Sequence, residues 1–168
     1  MVDAIAHVLV ISDDERVLAT AAARDCLLLH EQRPFSLNTA VSHAITHASR
    51  QHATAALILP ADLPLAQPDD IKTLLNMAGY DRMRNGNGRL PTIVLSSNEE
   101  GTGTNALLLP LPTPFHFQYG KGSYQRHTEE ANRLGFAVKT VHTAGLQFDL
   151  DTESDWRRYQ QLTIGNEQ

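Results

Sequence analysis

Short β-branched runs alternate along this chain with stretches whose apolar residues return at helical spacing. His7 to Ile11 (HVLVI) reads as a strand that ends at Ser12-Asp13-Asp14, with Asp13 as the helix cap, and Glu15 to Ala23 follows as an Ala/Leu-rich helix. Cys26 to Leu29 is a second strand. Leu37 to Ala48 is a second helix, with Leu37, Val41, Ala44, Ile45 and Ala48 on one face. Ala55 to Leu59 (AALIL) is apolar at every position, as in a strand covered on both faces, and predicts the buried centre of a parallel sheet. It stops at Pro60-Ala61-Asp62-Leu63-Pro64. Pro68-Asp69-Asp70 then opens a helix to about Met77, with proline in the first turn and acids at the positive end of the dipole.

Tyr80 to Arg89 is polar and contains Asn85-Gly86-Asn87-Gly88, which predicts a surface loop. Thr92 to Leu95 and Ala106 to Leu109 are apolar strands flanking the small-residue segment Gly101-Thr102-Gly103-Thr104-Asn105. Gly120-Lys121-Gly122-Ser123 leads into a helix that ends near Leu134, before Gly135. Phe136 to Val141 is the last clear strand, and Asp149-Leu150-Asp151-Thr152 precedes a terminal helix around Trp156. These βα alternations over 168 residues predict a single α/β domain, a three-layer sandwich around a mainly parallel sheet.

Composition narrows the function classes. With 42% hydrophobic and 20% charged residues the chain resembles an ordinary soluble domain, large enough to bury a core without a staple. The lone Cys26 allows neither an intramolecular disulfide nor a zinc knuckle, and a reducing cytoplasm is the expected location. Lys and Arg number 14 against 19 Asp and Glu, a net charge of −5, so no basic field exists to hold a nucleic acid. No apolar stretch approaches the roughly 20 residues of a membrane span. The start Met1-Val2-Asp3-Ala4 lacks the basic head of a signal peptide.

Several residue groups could carry chemistry. Asp62 follows the Ala55 to Leu59 strand, at the edge where open α/β sheets bind ligands, and Pro60 and Pro64 stiffen its turn. Asp149 and Asp151 alternate on an extended segment, so one of them points into a given face. A hard cation such as Mg²⁺ would be held by that one together with Asp62, and a simple turn or cap is the other reading of each acid. The Gly101 to Asn105 segment either offers successive backbone N–H groups to a phosphate, with the Thr102 and Thr104 hydroxyls beside them, or is a glycine-bearing hairpin turn. Gly120 to Ser123 allows close backbone approach at a helix start that attracts anions, or is an ordinary capped helix start. It is not a P-loop, because Phe115 stands where the first P-loop glycine belongs. His43 and His47 have metal-ligand spacing without the Glu of a zinc-protease helix, and read as a solvated face. His127 either turns toward a phosphate or faces water. No Ser/His/Asp arrangement or nucleophilic-cysteine signature is present.

Taken in order, Pro60-Ala61-Asp62-Leu63-Pro64, Gly103-Thr104-Asn105-Ala106-Leu107, Tyr119-Gly120-Lys121-Gly122-Ser123-Tyr124 through His127, and Asp149-Leu150-Asp151-Thr152 resemble the CofC/FbiD family. The likeness runs from about His7 to Trp156. It implies a Rossmann-like nucleotidyltransferase of glycosyltransferase-A type that joins GMP from GTP to 2-phospho-L-lactate, phosphoenolpyruvate or 3-phosphoglycerate, releasing pyrophosphate, in deazaflavin coenzyme F-420 biosynthesis. By the same resemblance, Asp62, Asp149 and Asp151 would be the catalytic, Mg²⁺-holding acids. Thr104, Asn105, Gly120, Ser123 and His127 would serve the acceptor, and Asn38 and Pro60 the nucleotide. A phosphate monoester with its second pKa near ~6 is mostly ionised at neutral pH and attacks without a general base, which accords with the absence of a triad. The alternatives are another small nucleotidyltransferase, such as a molybdenum-cofactor guanylyl- or cytidylyltransferase, and a non-catalytic remnant that binds a phosphorylated acid.

The sequence departs from the family pattern at its start. Members of the family begin with a strand and a glycine- and lysine-bearing loop for the triphosphate, whereas this chain starts at what resembles their second strand. The expectation is an N-terminally shortened domain in which His7 to Ile11 and Ala55 to Leu59 face a gap of about 10 Å, twice the interstrand spacing. Closure of the two strands, water, or a strand donated by another chain, as in a homodimer, would fill it.

Overall fold

The computed structural model describes residues 2, 4–31, 33, 36–80 and 92–164. The loop expected at Tyr80 to Arg89 lies outside them apart from its first residue. In chain order the elements are β1 (Leu9–Ser12), α1 (Glu15–Ala22), β2 (Leu27–His30), α2 (Leu37–Arg50), β3 (Ala55–Ile58), α3 (Pro68–Ala78), β4 (Thr92–Ser97), β5 (Thr104–Pro110), α4 (Ser123–Arg133), β6 (Ala137–Thr140), α5 (Ala144–Gln147) and α6 (Glu153–Ile164). Two helix starts differ from the expected capping: Gly122, at positive φ and without a side-chain cap bond, precedes α4, whose first residue is Ser123. Asp14 rather than Asp13 caps α1, its Oδ1 accepting the Arg16 N–H at 2.7 Å, while the Ser12 hydroxyl accepts the Asp14 N–H. Asp14 is thus the first residue past the Ser12 turn from which a carboxylate reaches the orphan amides.

Alternation along β4 and β5 divides the core into two faces. Val94, Ala106 and Leu108 point to one side, against Leu74, Leu75 and Ala78 of α3 and Leu146 of α5. Ile93, Leu95, Leu107 and Leu109 point to the other, against Val41 and Ile45 of α2, Ala131 of α4, Phe115 and Phe117. Sheet between two helical layers is the expected sandwich. No helix among the described residues is long and apolar enough to cross a membrane.

The larger sheet has the order β3-β5-β4-β6. β4 and β6 are parallel, β5 is antiparallel to both β3 and β4, and β3, β4 and β6 therefore share one direction. β5 enters the sheet at the edge where these three strands end: Thr104 lies opposite Ser97, and Leu107 opposite Ile58. The fully buried strands are β4 and β5. The run Ala55 to Leu59, expected at the buried centre, instead supplies β3, an edge strand of this sheet that is half-buried from Ala55 to Ile58. An all-apolar run fits either position, and the insertion of β5 beside it moves the centre inward.

A second sheet contains only β1 and β2, paired in parallel from Leu9↔Leu27 to Ser12↔His30. Among the described residues β1 and β3 are not hydrogen-bonded to each other, although α2 packs on both. Large apolar side chains gather on this half of the molecule: Val8, Val17, Leu27, Leu28, Leu37 and Leu59 are all exposed.

Burial ranks the two sheets for local stability, since amide protection follows the cost of opening. Amides of β4 and β5 are expected to exchange only with global unfolding, and those of β1 and β2 at least about tenfold faster. Native-state hydrogen exchange on the two sheets checks this, and equal protection would contradict it.

Candidate active site

The reversed strand β5 shapes the site. A helix that feeds a parallel strand must begin at the edge where the site lies, yet β5 ends at the opposite edge. The chain therefore climbs back through residues 111–119 before α4 can start. Outside its first residues this return segment belongs to no ladder, and side chains take the place of a neighbouring strand. The Glu130 carboxylate accepts the His116 N–H at 3.0 Å, His127 Nε2 accepts the Gln118 N–H at 2.9 Å, and Asn38 Oδ1 accepts the Tyr119 N–H at 2.6 Å. Arg126 donates from Nη2 to the Gln118 carbonyl at 2.9 Å and from Nη1 to the Lys121 carbonyl at 2.6 Å. The Arg133 guanidinium on Glu130 holds that carboxyl below its ordinary value and so keeps it an acceptor.

These bonds deliver Gly120 and Gly122, both at positive φ, to the start of α4 beside the β4–β5 turn. The Tyr124 N–H donates to the Thr102 carbonyl at 3.3 Å, and Thr104 Oγ1 lies 3.0 Å from His127 Nδ1. The hairpin and the helix start are thereby brought together, with Thr104, Asn105 and Ser123 all buried and Gly120 exposed. Within the turn, however, no row of free amides faces a phosphate. The Gly101 N–H goes to the Asn98 carbonyl, and those of Thr102 and Gly103 go to Asn98 Oδ1 at 2.9 Å each. The Asn98 side chain fills the concavity, so the hairpin-turn reading of Gly101 to Asn105 holds at those amides.

His127 neither turns to solvent nor reaches an open surface. It is fully buried, with the Tyr119 ring edge-on at 4.7 Å between centroids and Phe115 at 5.7 Å. Asn38 sits in the first turn of α2 with its amide committed to Tyr119, donating to that carbonyl at 3.4 Å as well as accepting its N–H. It is a structural clamp in this arrangement. His43 and His47 are half-buried on α2.

The acids come from neighbouring loops of the same edge. Asp62 is exposed after β3, and the Leu150 N–H donates to the Asp62 carbonyl at 3.0 Å, tying its turn to the Asp149–Asp151 segment. α5 works as a strut beneath. The Gln147 carbonyl accepts the Glu99 N–H at 3.1 Å and Asn105 Nδ2 at 3.4 Å. Gly145 allows this approach, because a Cβ there would lie 2.7 Å from the Leu65 carbonyl and overlap the Asp70 carboxylate. A cleft of about 360 Å³ opens between the elements, lined by Asn98, Glu99, Glu100, Asp149, Asp151 and Asp155 among others. Burial raises the pKa of Asp149, and the charges of Asp151, Asp62 and Asp155 raise it further. Glu99 is partly neutralised by Arg158, whose Nη2 lies 2.7 Å from Oε1 and whose guanidinium covers the Phe148 ring at 5.1 Å. Among the described residues no three carboxylates, imidazoles or thiols converge closely enough to hold a metal by themselves.

Residues 1–160 match the family described as guanylyl transferase CofC like. The chain belongs to that family. A phosphoenolpyruvate guanylyltransferase of Rubrobacter xylanophilus is 38% identical over 152 residues, covering 90% of this chain and 69% of its own. One from Chloroflexus aggregans is 32% identical, covering 92% and 71%. A 3-phospho-D-glycerate guanylyltransferase of Phenylobacterium zucineum is 29% identical, covering 90% and 66%. Among solved structures, a CMP:2-keto-3-deoxy-manno-octonic acid synthetase complexed with CTP superposes with a TM-score of 0.59 at 14% identity, over 98% of this chain and 83% of that one. The shared fold is the Rossmann-like nucleotidyltransferase fold expected from the sequence.

In this chain the buried imidazole makes stability depend on pH. Burial first, and the charge of Arg126 second, lower the His127 pKa from 6.5 to about 4. Between those values the unfolded chain binds a proton that the folded chain does not. The contribution of His127 is therefore complete above pH ~6.5 and is lost as pH falls toward ~4, by about 3 kcal/mol at the acid end. Denaturant midpoints from pH 7 to pH 4 are expected to fall in the native chain and to fall less in His127→Gln. Parallel pH profiles would contradict the assignment.

Proposed function

We propose that this chain transfers the guanylyl group of GTP to the phosphate of a small phosphorylated three-carbon acid, phosphoenolpyruvate or a close analogue, with release of pyrophosphate. The proposal extends to coenzyme F-420 biosynthesis in the cytoplasm as its setting. Family membership supports the guanylyl transfer, and the relatives' acceptors are phosphorylated three-carbon acids.

The observation that carries the reading is the meeting of two unlike surfaces at one edge of the sheet. On one side the Leu150–Asp62 bond joins two acid-bearing loops. On the other, the Thr104 hydroxyl and the Gly120–Gly122 backbone lie beside the start of α4, whose dipole favours an anion. The acceptor phosphate is its own nucleophile, and positioning with charge neutralisation supplies the rate. Thr104, Gly120 and Ser123 hold the acid, with Asn105 fixing the start of β5 beneath it.

Mg²⁺ suits the acids present. It binds through one or two protein carboxylates and completes its shell with phosphate oxygens and water, so no three-acid cage is needed. Asp62 and Asp149 are the pair, and Asp151 adds field. The raised pKa of Asp149 among like charges is the imbalance a cation would relieve. When bound, the ion would neutralise charge on the triphosphate and its leaving pyrophosphate.

Asp62→Ala is expected to lower Mg²⁺-dependent release of pyrophosphate from GTP and phosphoenolpyruvate by at least about 100-fold. Its circular dichroism should be unchanged, since the side chain is exposed. Undiminished turnover in the variant would sink the metal assignment. No pyrophosphate from the native chain with any of the three acids would sink the proposed activity.

A further inference from the structure

Buried side chains behind a binding surface can dictate what its visible groups do. Here His127, on the second turn of α4, touches Thr104 at the first residue of β5 and does not itself reach the surface.

The hydrogen-bond partners determine its tautomer. Nε2 lies 2.9 Å from the backbone nitrogen of Gln118, and a backbone amide can only donate. Nε2 must therefore be the bare, accepting nitrogen. A neutral imidazole carries one proton, which then sits on Nδ1, 3.0 Å from Thr104 Oγ1. The opposite tautomer and the imidazolium would each set two donors against one another at Gln118. The surroundings agree: Phe115 and Tyr119 pack on the ring, and Arg126 is the neighbouring cation.

The Thr104 hydroxyl consequently accepts from His127 and has one proton left to give. One lone pair of this hydroxyl is taken by the imidazole N–H, so its proton cannot be spent on His127 and stays available to an acceptor outside, with the second lone pair beside it. Resting on the reading that Thr104 contacts the acceptor, we propose that His127 is a positioning residue that keeps the Thr104 hydroxyl proton free for an anionic oxygen of the acceptor. A carboxylate or phosphate oxygen fits that proton.

Two substitutions separate positioning from packing. His127→Gln can place an amide oxygen near the former Nε2 to take the Gln118 N–H, while losing the donor to Thr104. His127→Asn can place an amide nitrogen near the former Nδ1, while losing the acceptor for Gln118. Calorimetry with phosphoenolpyruvate should show Kd raised about tenfold in His127→Gln and in Thr104→Val, largely restored in His127→Asn, and raised no further in the double variant His127→Gln/Thr104→Val. Nitrogen NMR of the native chain with labelled histidine should find the proton of His127 on Nδ1, and this readout needs neither ligand nor folded variants. A proton on Nε2, or native affinity in His127→Gln while Thr104→Val is weakened, would overturn the proposal. Native affinity in Thr104→Val would instead overturn the acceptor-site reading, and the tautomer would still decide the geometry at His127.

Discussion

One reversed strand constrains the rest of the molecule. Because β5 runs against its neighbours, the chain leaves the sheet at the edge away from the site and has to return before the next helix can begin. The return passes along the core, where Phe115 and Phe117 are buried, and there its backbone amides need partners that no strand supplies. Asn38, His127 and Glu130 provide them. His127 and Glu130 occupy buried positions of α4 where a helix covering a sheet would ordinarily carry leucine or valine. Their presence is explained by the return segment before any chemistry is considered.

The same detour makes the site. It ends in Gly120 and Gly122, whose positive φ turns the chain directly into α4, and it sets the start of that helix against the hairpin from which β5 came. Thr104, the two glycines and the positive end of α4 therefore lie together. The acids gather at the same edge because the loops after β3 and α5 end there and are joined by a backbone bond. Repulsion among them is tempered at one point by Arg158 on Glu99 and left standing around Asp149. An unneutralised cluster of this kind costs folding energy and is compensated when a cation or a cationic complex binds.

Much of this was legible in the sequence, and the parts that were not have physical reasons. Periodicity located nearly every helix and strand, because covering a sheet on two sides demands particular spacings. It could not tell the direction of β5, since Leu107, Leu108 and Leu109 are apolar in either orientation; the hairpin reading of Gly101 to Asn105 pointed to the antiparallel one, and the register with Leu95 and Leu57 fixes it. For the same reason Ala55 to Leu59 read as the centre of the sheet. Motif spacing brought out Asp62, Thr104, Gly120 and Ser123 as a group, since these are short local signals. Asn38 stands outside those motifs and His127 closes one of them, yet their partners lie 81 and 23 residues away, beyond the reach of local pattern. Asn98 gave no signal at all. An asparagine that folds back on the amides following it looks like any other turn residue until the turn is seen.

The topology also bears on how the chain reaches this state. The two most buried strands are consecutive, joined by the short Asn98–Gly103 turn, so the centre of the larger sheet is a contact of low sequence separation. Pairing with β3 requires closing a loop through α3, which carries a larger entropic cost before any reward. A β4–β5 hairpin can thus form early and offer β3 and β6 an edge each. Asn98, which holds the turn closed by four hydrogen bonds, then acts at both ends of the protein's life: in starting the sheet, and in shaping the wall of its cleft.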